Sequence, residues 1–85
     1  MPFTATVKGS FKEFIDKSSS LDWVDRPAAE LVAAYCDDDV LRSAASPDGN
    51  MVEFIDDFQD THRKRIVNLP DWDLISELIF DWYNA

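Results

Sequence analysis

MVEFIDDFQDTHRKRI, residues 51–66, is the stretch that decides the fold. Successive residues of an α-helix turn by about 100°, and on that wheel Met51, Phe54, Ile55, Phe58, His62 and Ile66 share one face. Glu53, Asp56, Asp57 and Asp60 share the opposite face. The pattern predicts an amphipathic helix over about residues 50–65, apolar inward and anionic outward. Its acids come first and Arg63, Lys64 and Arg65 come last, an order that complements the helix dipole by ~0.3–1 kcal/mol per charge. Asp60 and Lys64 stand at i and i+4, a pair contributing ~0.2–0.5 kcal/mol.

Working outward, Ser46-Pro47-Asp48-Gly49 has the composition of a turn or a helix start. Before it, Val40, Leu41, Ala44 and Ala45 belong to a short helix capped by one of Asp37, Asp38 and Asp39, or to a bent continuation of the preceding helix. Asp25 ahead of Arg26-Pro27 reads as an N-cap with proline in the first turn, where no amide donor is needed. Ala28, Leu31, Val32 and Tyr35 give that helix its apolar face. Ser10 and Glu13 have capping-box spacing, and Phe11, Phe14 and Ile15 follow at helical intervals, predicting a helix over about 11–17. Downstream, Pro70 disfavours helix at Leu69. Asp71 then caps a last helix running to about Tyr83, with Leu74, Ile75, Leu78, Ile79 and Trp82 inward. FTATVK (3–8) and RIVNL (65–69) are read as two optional short strands that can pair. The fold class expected is mainly α: four to five short helices in one small bundle-like domain, residues 1–85. Its core is expected around Leu31, Tyr35, Phe54, Phe58, Leu78 and Trp82.

The 85 residues suffice for one domain with a thin stability margin. Six Phe, three Trp and two Tyr supply core material that disordered chains lack. The chain carries 17 acids, thirteen of them Asp, against 8 bases, a net charge of −9. A field of that sign repels nucleic acid and anionic membranes and attracts basic partners. A single cysteine, Cys36, allows no internal disulfide, and neither a signal peptide nor a run of ~20 apolar residues is present. A chain starting at Met with this composition is read as a complete small cytoplasmic protein.

Several chemistries find no constellation. Asp37-Asp38-Asp39 lacks the central glycine and distal glutamate of an EF-hand, and one Cys with one His does not make a zinc site. Cys36 is followed by three aspartates, whose field raises a thiol pKa and opposes thiolate reactivity. His62, one turn beyond Phe58, fits a core-edge residue at a helix C-terminus. Three bases in a −9 chain do not form a nucleic-acid stripe. The expectation is therefore no enzyme, no cofactor, no metal and no direct nucleic-acid or membrane contact.

Two surfaces remain. Glu53, Asp56, Asp57 and Asp60 stand at i, i+3, i+4 and i+7, where like charges repel by ~0.2–0.5 kcal/mol per pair. Dipole matching explains acids in the first turn but not Asp60. This stripe, with Asp37, Asp38 and Asp39, is the candidate docking surface for a larger basic protein, by imitation of nucleic-acid charge; the plainer reading is a solvated face. On the last helix Trp72, Phe80 and Tyr83 form a candidate aromatic anchor, unless the first helix covers that edge with Phe11 and Phe14. The function expected is a small acidic inhibitor or regulator of a nucleic-acid-handling protein, of the immunity-protein, antitoxin, anti-restriction or anti-CRISPR kind. The alternative is a scaffold subunit, homodimeric through the C-terminal helix.

Overall fold

The computed structural model describes residues 9–19 and 21–85. These residues form five α-helices in the order α1 (Phe11–Asp16), α2 (Arg26–Tyr35), α3 (Asp38–Ala45), α4 (Met51–Thr61) and α5 (Trp72–Asn84), with a 3₁₀ turn at Arg63–Arg65 after α4. Helix α5 is the hub: α1, α3 and α4 all pack on it, while α2 packs on α1 and α3 on α4. Its most buried side chains, Ile75, Leu78, Ile79 and Trp82, are all on the face the sequence assigns to the core. Phe11 meets Trp82 edge to face with ring centroids 5.7 Å apart. No helix among the described residues is long and apolar enough to cross a membrane.

Side chains cap the starts of α1, α4 and α5, where the first backbone donors have no partner within the helix. The α1 capping box forms as read: Ser10 Oγ accepts from the Glu13 amide and Glu13 Oε1 accepts from the Ser10 amide. Asn50 caps α4, and Asp71 Oδ1 accepts from the amides of Asp73 and Leu74 at the start of α5. Other contacts tie separate helices together. Arg26 donates to the carbonyls of Ile15 and Ser18, closing the C-terminal end of α1 from the start of α2. Trp82 Nε1 donates to the Gly9 carbonyl at 2.8 Å.

Asp25 corrects the sequence reading. It sits at the N-cap position but with helical dihedrals, φ −89° and ψ −30°, and makes no capping bond. Its buried carboxylate instead accepts from the Asp71 amide at 2.8 Å, 46 residues along the chain. Asp22 does the local work there, accepting from the amides of Val24 and Asp25. Tyr35 is a second correction. It ends α2, the chain turns away at Cys36 in extended conformation, and the ring lies 54% exposed rather than in the core. Leu31 and Phe54 are only half-buried.

Helix α4 is shorter than its periodicity implied. Regular helix stops at Thr61, His62 adopts φ −110° and ψ 22°, and the three bases wind more tightly. In a 3₁₀ turn residues three apart eclipse one another. Asp60, in the last turn of α4, pairs with Arg63 at 2.7 Å, three residues on, rather than with Lys64. RIVNL is not a strand: Ile66 is extended, but nothing pairs with the segment among the described residues, and Val67 and Leu69 stand out in solvent. FTATVK lies outside the described residues.

Candidate docking site

The stripe on α4 is a ridge between two open grooves. Glu53 and Asp57 point to one side, where with Asp39, Val40, Ser43 and Phe54 they line a groove of about 460 Å³ between α3 and α4. Asp56 and Asp60 point to the other side, where with Gln59, Arg63, Leu69 and Trp72 they line a groove of about 540 Å³ toward the start of α5. The helical wheel explains the division: Asp56 and Asp60 lie one turn apart, as do Glu53 and Asp57, and the two pairs stand on adjacent flanks.

All four carboxylates are exposed. Asp60 is paired with Arg63, while no basic side chain of the described residues bridges Glu53, Asp56 or Asp57. Four neighbouring like-charge pairs together oppose the helix by about 1–2 kcal/mol, which a single exposed bridge offsets only in part. The helix tolerates this because Met51, Ile55 and Phe58 are buried on its other face, each worth ~1.5–3 kcal/mol on full burial.

The three aspartates at 37–39 part company. Asp37 occupies the N-cap position of α3 without a side-chain capping bond. Asp38 is half-buried and accepts from the Phe11 amide at 3.3 Å, tying α1 to α3. Asp39 alone reaches a groove with the ridge acids, and it also pairs with Arg42 at 3.0 Å. The fold therefore adds one of the three to the ridge and uses another as a structural clamp.

The aromatic trio is likewise divided. Trp72 meets Phe58 edge to face at 6.1 Å and lines the Asp56–Asp60 groove. Tyr83 packs against the core from the far end of the same helix. Eleven residues of helix separate these two by about 16 Å. Phe80, 37% exposed, is the most open of the three. Of the trio, Trp72 is thus the member that shares a groove with ridge acids. The apolar residues that complete the grooves, Val40, Phe54 and Leu69, carry no sequence signal of that role; Leu69 has only its place before Pro70.

His62 lies between two rings, 4.7 Å from Tyr35 and 4.3 Å from Phe58 by centroid, and Arg65 stacks over Tyr35 at 5.0 Å. This column closes the end of α4 where the cations begin. Cys36 is half-buried; burial first, and the charge of Asp37 second, push its thiol pKa up, away from thiolate reactivity. Among the described residues no three His, Cys, Asp or Glu side chains are grouped to hold a metal ion. Set against family models, curated proteins and solved structures, the chain matches none.

Proposed function

We propose that this chain is a small acidic binding protein that docks its α4 ridge on a basic surface of a larger, nucleic-acid-handling protein and blocks or regulates it. The observation that carries the reading is the state of Glu53, Asp56 and Asp57: exposed, without bridging cations among the described residues, and flanked by grooves with apolar walls. Acids spaced ~5–6 Å apart on a helix face imitate the spaced negative charge of a nucleic-acid strand. A surface of this kind steers a cationic partner to encounter, and apolar contacts beside it hold the complex. Trp72 and Phe54 are the side chains placed to make those contacts. The mode of action is non-enzymatic and cytoplasmic, the mode of immunity proteins, antitoxins and phage anti-defence proteins.

The scaffold alternative, a homodimer through α5, draws on Phe80, the most open aromatic of that helix, Trp72 and Tyr83 being partly buried. One side chain 37% exposed gives that face little to bury.

The test is a pull-down from the native host with the parent chain and with D56K/D57K/D60K, helicity being checked by far-UV circular dichroism. The expected result is a basic protein retained by the parent, released by raised salt and absent from the variant. Recovery of the same protein in unchanged yield by the variant reduces the ridge to solvated charge.

A further inference from the structure

The charges from 53 to 65 are antisymmetric along the chain: acids at 53, 56, 57 and 60, then bases at 63, 64 and 65. A strip of that kind complements itself when two copies run antiparallel. With a twofold axis midway between Asp60 and Arg63, Asp60 of each copy lies opposite Arg63 of the other. The Asp60–Arg63 bridges of the two copies meet at the axis with their signs alternating.

The structure supplies the rest of such a contact. Asp56, Gln59, Asp60 and Arg63 line one groove together, so the strip persists on a single face across the end of α4. Lys64 and Arg65 continue it around the neighbouring hollow that they share with Asp60 and Arg63. Beside the axis the same groove is walled by Ile66, Trp72 and Leu69. Leu69 is 95% exposed and its neighbour Val67 85%. A small domain that needs most of its apolar residues for one core leaves these two in solvent. Large apolar side chains ringed by complementary charges are the anatomy of an interface.

We propose that the occupant of this face is a second copy of the chain, docked antiparallel about a twofold axis between Asp60 and Arg63. Such a contact uses the same patch on both copies and closes at two. The net charge of −9 on each copy opposes approach at long range. At ~0.15 M ionic strength that repulsion is screened beyond about 8 Å, and the short-range pairs remain. The dimer covers Asp56, Asp60 and Trp72, which the basic-partner reading also uses, and leaves the Glu53–Asp57 flank open.

The experiment is sedimentation velocity of the full chain from micromolar to near-millimolar concentration at ~0.15 M salt. The parent is expected to pass from monomer to dimer. D56K/D60K reverses the two acids of the strip on this face, and R63E/K64E reverses two of its three bases. Each alone is expected to be monomeric, and their equimolar mixture to form a heterodimer. L69K, at a site whose side chain is in solvent and does not support the fold, is expected to weaken the parent dimer about tenfold or more. A parent that stays monomeric overturns the proposal and leaves the pull-down prediction intact. Dimers persisting in either charge variant alone, failure of the two folded variants to associate, or an L69K dimer as tight as the parent's overturn it equally.

Discussion

Replacing Asp25 by serine separates two roles for one carboxylate. Serine caps helices about as well as aspartate, so a residue that only capped α2 would lose little. Asp25 serves the fold differently. Its carboxylate accepts the Asp71 amide at 2.8 Å and joins the first turn of α2 to the N-cap of α5. A serine hydroxyl, one atom shorter, does not reach that amide. Leaving a partly buried donor without its acceptor costs about 1–3 kcal/mol. An 85-residue domain holds roughly 4–13 kcal/mol in all, so the loss is a large share. At ~4–8 °C per kcal/mol for a domain of this size, Tm falls by about 4–24 °C. Thermal and urea melts followed by far-UV circular dichroism measure the change, and hydrogen exchange at the Asp71 amide locates it. Asp25→Asn keeps an acceptor oxygen in place and should lose less than half as much. A serine variant within ~0.5 kcal/mol of the parent, with the Asp71 amide still protected, refutes the clamp.

Two further substitutions probe the scaffold. Gly49 lies against the end of α3: a Cβ there would collide with the Ser43 carbonyl and come within 2.6 Å of the Ala44 carbonyl oxygen. Gly49→Ala must displace backbone and should destabilise by about 1–3 kcal/mol in a urea melt. Asp22 is held below the ordinary carboxylate range, chiefly by the Asp25 amide and also by that of Val24. A depressed folded pKa contributes stability that is full above the unfolded value and drains as pH falls through the folded one. Asp22→Asn should therefore lower stability near neutral pH and flatten its acid decline, measured as Tm against pH from neutrality to below the carboxylate range.

The ridge and the twofold strip make different demands on the same helix. A basic partner gripping Glu53 and Asp57 uses the groove toward α3, whereas a second copy uses the groove toward α5. The two occupants compete for Asp56 and Trp72, and a dimer leaves the Glu53–Asp57 flank for a basic partner. A dimer would present two anionic flanks to a target, which raises avidity when the target carries two matching sites.

The sequence by itself determined the local terms. Apolar periodicity placed four to five helices; the Ser10–Glu13 box and Asp71 fixed where two of them begin. The outward stripe on α4 was legible for the same reason, since residues three and four apart share a face whatever the rest of the chain does. Tertiary structure decided what depends on distant neighbours. Asp25 and Asp38 look alike as caps, yet each spends its carboxylate on an amide 46 or 27 residues away. Tyr35 has core periodicity, but the exit of the chain at Cys36 leaves its ring outside against His62 and Arg65. The grooves that give the ridge its apolar walls come from α3 and from the approach to α5, and no spacing within α4 encodes them. Helix and cap are contests among a few adjacent residues, whereas clamp and groove exist only once separate elements have packed.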